Sequence, residues 1–302
     1  MDNFDLIVIG GGSGGVRAAR IAALHGAKVA LCEKDRMGGT CVIRGCIPKK
    51  LFFYASQYKD ILNNASYYGW SIKSISKKFI SLIENKNKEL RRLESIYNKN
   101  VKNAGVEIIY EEAMLESNKV IKVGKKKISA KNIIISTGGI PKKLNISGNQ
   151  YCINSDQIME LKKIPKSLTV IGSGYIAIEF AFIFASLGSK VNLICRKNIL
   201  RGFDKDLIDL VRESLITKGV TVYLNEEVRK VSLKKKLKEI SLKNSNIKLN
   251  SNEILVAIGR EPNISRLNLE ELGIKLTKTK AIKVNKNLMT NIKNIYAVGD
   301  VT

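Results

Sequence analysis

The amino-acid order predicts an α/β fold in which one βαβ unit occurs twice. Three observations carry that expectation. A strand, a glycine-rich turn, a helix and a second strand open the chain, and a related pattern returns about 160 residues later. The chain has 302 residues, enough for about two domains and more than one hydrophobic core. Hydrophobic residues are 44% and charged residues 26%, an ordinary soluble balance, and 23 Gly against 4 Pro exclude a collagen-like repeat.

The opening strand is expected at 5–9 and ends in Gly10-Gly11-Gly12-Ser13-Gly14-Gly15. Small and apolar residues at helical spacing follow over 16–24, with Gly26 as the stop, and 28–32 reads as the second strand, closed by Glu33. A charged amphipathic helix is expected at 79–99, then a Lys-rich β-like stretch leading to 133–136 and the turn Thr137-Gly138-Gly139-Ile140-Pro141. The second unit follows Pro165, with a strand at 167–171, the turn Gly172-Ser173-Gly174, a helix through Leu187, a stop at Gly188 and a strand at 190–195. After it come a helix at 204–218, alternating segments, and strands at 254–258, 281–284 and 295–298.

Several classes fall away. No apolar run approaches the roughly 20 residues of a membrane span, so no membrane partner is expected. The start, Met1-Asp2-Asn3-Phe4-Asp5, is acidic and its apolar run stops after Ile9, unlike a signal peptide, which predicts a cytoplasmic protein. The net charge of +25, from 52 Lys+Arg against 27 Asp+Glu, raises a nucleic-acid partner. Runs such as Lys125-Lys126-Lys127 and Lys234-Lys235-Lys236 read instead as solvated faces, aromatics are 6%, and no nucleic-acid motif is present. No nucleic-acid partner is expected.

Gly10-x-Gly12-x-x-Gly15 follows a strand and opens a helix, as a dinucleotide site requires. The first Gly makes the tight turn, the second admits a pyrophosphate and the third lets helix and strand close-pack. The helix N-terminus offers N–H groups and partial positive charge to the phosphates. Glu33, 23 residues after Gly10, stands where a carboxylate takes the ribose hydroxyls of an adenosine. The second turn, Gly172-x-Gly174-x-x-Ala177, lacks that acid. Its equivalent position holds Cys195, followed by Arg196 and then Arg201, whose guanidinium groups suit a 2′-phosphate, so this site is expected to prefer NADPH to NADH.

Cys41 and Cys46 lie five apart. A metal pair needs further ligands, and Cys32, Cys152, Cys195 and the lone His25 show no ligand spacing, so no metal is expected and a redox pair is the better reading. Gly38-Gly39-Thr40 before it and Pro48 after it suggest a turn entering a helix, whose N-terminus would stabilise a thiolate.

The segment from Gly38 to Lys50, Gly-Gly-Thr-Cys-Val-Ile-Arg-Gly-Cys-Ile-Pro-Lys-Lys, resembles the redox-active disulfide segment of the flavin-dependent pyridine nucleotide–disulfide oxidoreductases. The resemblance runs along all 302 residues, through 172–179, 200–204, Ala-Ile-Gly-Arg-Glu-Pro-Asn (257–263) and Tyr-Ala-Val-Gly-Asp (296–300). Lys49 and Lys50 fit the glutathione and trypanothione branch of that family, and the match is best to its glutathione-reducing members. It implies two Rossmann-like nucleotide-binding domains, the second inserted in the first: 1–142 and 263–302 for FAD, 143–262 for NADPH. FAD would be lined by Gly10, Gly12, Ser13, Gly14, Gly15, Glu33, Thr40, Cys41, Lys49, Ala113, Thr137, Gly138 and Asp300. NADPH would be lined by Gly172, Ser173, Gly174, Tyr175, Ile176, Glu179, Arg196, Arg201 and Gly259, with Tyr175 as a lid. Cys41, Cys46, Lys49 and Glu179 would be catalytic, Lys49 and Glu179 as a buried ion pair, while Ser13, Arg20 and Tyr97 would hold glutathione disulfide.

The implied reaction is NADPH-dependent reduction of glutathione disulfide through FAD and a Cys41–Cys46 disulfide. Alternatives are another low-molecular-weight or protein disulfide (trypanothione-like, dihydrolipoamide, mercuric-type), or a nucleotide-binding chain without full turnover. Two departures stand out. Arg196 and Arg201 are five apart, one closer than in the family. Family members also continue past Gly-Asp-Val into an interface domain that builds a homodimer and lends a His–Glu acid–base pair, so this sequence reads as truncated before that domain. His25, at a helix end, is expected to be a surface or cap residue rather than a substitute.

Overall fold

The computed structural model describes residues 2–302. In chain order it runs β1 (Asp2–Ile9), α1 (Ser13–Leu24), β2 (Val29–Cys32), a π-turn (Thr40–Arg44), α2 (Cys46–Asn64), α3 (Phe79–Asn103), β3 (Glu107–Ile109), β4 (Ala113–Leu115), β5 (Val120–Val123), β6 (Lys126–Ile135) and β7 (Gly139–Pro141). There follow α4 (Ser155–Ile158), β8 (Ser167–Ile171), α5 (Tyr175–Ser186), β9 (Lys190–Ile194), α6 (Lys205–Thr217), β10 (Thr221–Tyr223), β11 (Val228–Lys234), β12 (Leu237–Leu242), β13 (Lys248–Ser251), β14 (Glu253–Val256), β15 (Arg260–Pro262) and β16 (Ile295–Ala297). Two compact units result. The first holds the chain up to Ile47, Lys88–Ile140 and Arg260–Thr302; the second holds Pro48–Asn87 and Pro141–Gly259.

The first unit is built on a sheet of order β3-β2-β1-β6-β5-β4. Its β1, β2, β3 and β6 are parallel, and β5 is antiparallel to β6. The ten-residue β6 changes partner along its length: its first residues pair with β5 and its last three with β16. Alternation along β1 fills both faces. Leu6 and Val8 join Val16, Ala19 and Leu31 in the core on the α1 side, while Ile7 and Ile9 join Ile133, Ile135 and Ile295 in the other. Ile9 lies opposite both Cys32 and Ile135, so three strands end level and Gly10, Glu33 and Ser136 start together at their carboxyl ends. That edge is where ligands bind in open α/β sheets.

The second unit has a parallel sheet β10-β9-β8-β14 and a three-stranded antiparallel sheet β11-β12-β13. Helix α5 is apolar nearly all round, with Ala177, Ile178, Phe180, Ala181, Ile183 and Phe184 buried, because it is enclosed in a core with Phe52, Leu168 and Leu193. Among the described residues no helix is long and apolar enough to cross a membrane.

All but one of the expected elements are present, with informative shifts. Strand β1 starts three residues early because Asp2, Asn3 and Phe4 pair with Ile128, Ser129 and Ala130, a ladder no local pattern can show. Helix α3 runs four residues past its expected end. Asp204 is the N-cap of α6, its side chain accepting from the N–H groups of Asp206 and Leu207 at 3.0 and 3.4 Å. The segment at 281–284 is not a strand: Ile282 makes only an isolated bridge to Leu276.

Candidate active site: two glycine turns and a cysteine pair

The first turn is held so tightly that two of its residues have no room for a side chain. Gly10 has φ +107°, and a Cβ on it would lie 2.5 Å from the carbonyl oxygen of Ser136. A Cβ on Gly15 would lie 1.9 Å from the Gly10 carbonyl oxygen. The Ser136 hydroxyl donates to the carbonyls of Ile9 and Gly10, both at 2.9 Å, and locks the arrangement. Gly12 is the N-cap of α1 and supplies no side-chain cap, and the first helical turn carries no acid. The open N–H groups and the helix dipole are therefore available to an anion. Glu33 turns toward this end: Oε2 accepts from Gly11 N–H at 2.7 Å and Oε1 from Asp35 N–H at 2.9 Å.

An open cleft adjoins the turn, lined by Ile9, Gly10, Glu33, Ala113 and Thr137. Asp300 approaches Gly139, since a Cβ there would stand 3.5 Å from the Asp300 Cβ, and Val298 approaches Gly14. Thr40 accepts from the Arg260 guanidinium at 3.2 Å, and Arg260 also donates to Gly139. The Arg260 Nε is buried without a hydrogen-bond partner. These residues fit the FAD named by the resemblance: a phosphate-sized backbone cradle, a carboxylate for a ribose, and an orphaned buried donor beside Thr40. The sequence reading left several cleft residues unassigned. Lys34, Glu112 and Arg266 line its rim, and Asn263 knits to Thr137 and Gly138 by three hydrogen bonds. Arg260 and Asn263 sat in plain view within the 257–263 motif; Arg266 carried no local signal.

Cys41 lies half-buried on the π-turn and Cys46 is exposed as the first residue of α2. Gly38 and Gly39 have φ +113° and +62°, and Gly39 stands so close to Gly12 that a Cβ on it would be 2.6 Å from the Gly12 Cα. The cysteine loop thus rests on the 10–15 turn. Arg44, between the two cysteines, pairs with Asp35. The other thiols are placed for packing. Burial pushes Cys32 and Cys195 up to about 12 and Cys152 up to about 11, far from thiolate chemistry at neutral pH.

Ser13 and Arg20 are two turns apart on α1, hence on one face. Arg20 Nε is buried without a hydrogen-bond partner, as suits a site for an anion. Tyr97 is half-buried, packed partly against the core that holds Val16 and Ala19. His25 is exposed and is the C-cap of α1.

In the second unit, Gly172 has φ +141° and a Cβ on it would sit 2.2 Å from the Ala257 carbonyl oxygen. Gly174 caps α5 without a side-chain bond, and that helix too starts without an acid. Ala177 occupies the third position, fully buried. Ile171 pairs with Ile194 as Ile9 pairs with Cys32, so Cys195 occupies the place of Glu33. Its thiol donates to the Gly172 carbonyl at 3.3 Å. Arg196 and Arg201 are exposed, and the intervening loop is tied to the turn by Leu200 N–H on the Ser173 carbonyl at 2.7 Å. Tyr175, the first residue of α5, is 58% exposed. Ile176 is half-buried behind it, and Gly259 has φ +111° at the end of the segment after β14.

Lys49 and Glu179 do pair, Nζ to Oε1 at 2.5 Å, but the pair is half-buried, with side chains 29% and 36% exposed. The expectation of a buried pair is corrected to that extent. Glu179 Oε2 is nevertheless a buried atom without a partner.

The family description "Pyridine nucleotide-disulphide oxidoreductase" matches residues 4–302. A glutathione reductase of Burkholderia cepacia is 42% identical over 301 residues, covering 99% of this chain and 67% of that protein. A glutathione reductase of Nostoc is 40% identical over 312 residues, covering 99% and 68%. The solved copper(II) complex of the HOCl-induced flavoprotein disulfide reductase RclA of Escherichia coli superposes with a TM-score of 0.89 at 28% identity, covering 100% of this chain and 66% of that one. The chain spans about two thirds of the length of these relatives.

Proposed function

Because the chain belongs to the pyridine nucleotide–disulphide oxidoreductase family, we propose that it is an NADPH-dependent flavoprotein disulfide reductase acting on glutathione disulfide. FAD is assigned to the first unit and NADPH to the Gly172 turn of the second. One observation carries the reading: two glycine turns open helices with free N-termini, one followed by a carboxylate and the other by arginines, and the cysteine pair rests on the first.

Bound FAD would supply two-electron chemistry, taking a hydride from NADPH and passing an electron pair to the Cys41–Cys46 disulfide. The chain's own residues do the rest. The 10–15 turn holds a pyrophosphate and Glu33 the adenosine ribose, while Arg196 and Arg201 hold the 2′-phosphate. Cys46, the first residue of α2, would be the cysteine on the flavin side and Cys41 the one that meets the substrate. The Cys41 thiolate attacks glutathione disulfide, forming a Cys41–glutathione bond and expelling one glutathione thiolate, which takes a proton. Cys46 then attacks the Cys41 sulfur, restoring the Cys41–Cys46 bond and releasing the second glutathione, which also takes a proton. Ser13, Arg20 and Tyr97 position the substrate. Lys49 and Glu179 are assigned a catalytic role as a charge-balanced pair beyond Cys46 on the chain.

A homodimer and a cytoplasmic location belong to the same proposal. Exposed Tyr67, Tyr68 and Trp70, at 89%, 80% and 72%, support a partner surface. The test is cofactor extraction and turnover. The purified protein should release one FAD per chain on denaturation and oxidise NADPH with glutathione disulfide faster than with trypanothione disulfide. A protein that yields no flavin would contradict the assignment, and a preference for trypanothione disulfide would move the substrate within the same class.

A further inference from the structure

We propose that Lys34, Glu112 and Arg266 form an ionic latch across the rim of the adenosine end of the cofactor cleft, setting how fast the cofactor is released. This rests on the FAD reading of the first unit. All three side chains line the cleft. They come from segments far apart in sequence: Lys34 follows β2, Glu112 precedes β4 and Arg266 follows β15. Each carboxylate oxygen of Glu112 has its own cation, Lys34 Nζ on Oε1 at 2.8 Å and Arg266 Nη1 on Oε2 at 2.9 Å. Those hydrogen bonds hold the Glu112 carboxyl below the usual carboxylate range, so it is ionised at neutral pH.

Two kinds of contact join the segments around the cleft. Backbone bonds tie them directly: Glu33 N–H donates to the Ile109 carbonyl at 3.0 Å, and Leu115 N–H donates to the Leu267 carbonyl at 3.4 Å. The three side chains bridge the same segments. Parting them would open the rim without breaking a sheet hydrogen bond. The fold gains little from them, because Arg266 is 72% exposed and Lys34 49%, and ion pairs in water are screened and weak. Their position at the mouth of the adenosine end gives them a use that stability does not.

The test is the release rate of FAD from the holoprotein, followed by the recovery of flavin fluorescence at low and high salt, about 0.02 M and 0.5 M. Screening should speed wild-type release about fivefold, equivalent to about 1 kcal/mol for two exposed pairs. Glu112→Gln keeps the shape and removes the charge. It should release FAD about fivefold faster at low salt and respond little to added salt. Arg266→Met should show part of the same change, and Arg266→Lys should restore most of it. Wild-type release and wild-type salt response in both Glu112→Gln and Arg266→Met would overturn the latch while leaving the FAD assignment intact. A wild-type protein holding no flavin would overturn the assignment and the latch together. If Glu112→Gln fails to fold, the Arg266→Met and Arg266→Lys pair decides alone.

Discussion

The two glycine turns show what a shared backbone leaves for side chains to decide. At the first, Glu33 stands at the end of β2 with its carboxylate on the N–H of Gly11 at 2.7 Å; at the second, Cys195 holds the same place with its thiol on the carbonyl of Gly172. Both turns open a twelve-residue helix whose N-terminus lacks a side-chain cap. The short α4 and the longer α6 are capped instead by Asn154 and Asp204. The missing caps and the forced glycines make each turn an anion cradle. In the proposed function the residue at the next strand end selects the nucleotide, since a carboxylate accepts ribose hydroxyls and repels a 2′-phosphate, whereas arginines attract one. Even the packing differs within the shared frame: the third position tolerates Ala177 in the second turn but excludes any Cβ at Gly15 in the first.

The largest effect is expected from forcing the second turn's solution on the first. Gly15→Ala places a methyl 1.9 Å from a backbone oxygen and should cost at least about 3 kcal/mol, read as a lower urea midpoint and lost flavin. Gly174→Ala meets no atom within 4 Å and should leave the midpoint nearly unchanged. Equal destabilisation by both would break the contrast. Glu33→Gln should weaken FAD about 10- to 100-fold, measured by titrating apoprotein, because hydrogen bonds to a charged group carry about 1.5–3 kcal/mol. Arg196→Met should raise the KM for NADPH by a similar factor and leave that for NADH almost untouched, which steady-state kinetics with both nucleotides would check.

The smallest effect compares Cys32 and Cys195, which occupy neighbouring positions at the two strand ends. Their ordinary value is 9.0, and both are pushed up to about 12 by burial. A raised acid in the fold means that its stabilisation is complete below pH 9 and is lost between 9 and 12, as the unfolded thiols ionise first. At about pH 10.5 each thiol should cost the fold about 1–2 kcal/mol relative to pH 8. Cys195→Ala should therefore show a shallower fall in urea midpoint over that interval than the wild type, and an identical fall would contradict the account.

Much of the fold was legible because its signals are local. The spacing of Gly10, Gly12 and Gly15, the apolar run before it and the acid after it lie within 30 residues, and their βαβ unit formed as read. The cysteine loop was equally local, although the π-turn that carries Cys41 was not foreseen as such. What sequence reading missed is long-range. The pairing of Asp2–Phe4 with β6, the change of partner along β6, and the clustering of 48–87 with the second unit depend on contacts between distant residues. Arg266 and Glu112 are 154 residues apart, and neither sits in a recognisable spacing. The Lys49–Glu179 pair was expected from resemblance, while its partial exposure depends on packing that residue types do not encode.

The most direct test of the account joins the cysteine pair to both nucleotide sites in one spectrum. The protein, holding FAD and kept free of oxygen, would be titrated with NADPH and scanned across the visible range, beside Cys41→Ser and Cys46→Ser. The account predicts that the wild type develops a long-wavelength thiolate-to-flavin band on adding NADPH, that Cys41→Ser shows the band before any reductant, and that Cys46→Ser never shows it. A wild type that loses flavin absorbance without the band, or a band that survives in Cys46→Ser, would contradict the assignment of Cys41 and Cys46 as the redox pair.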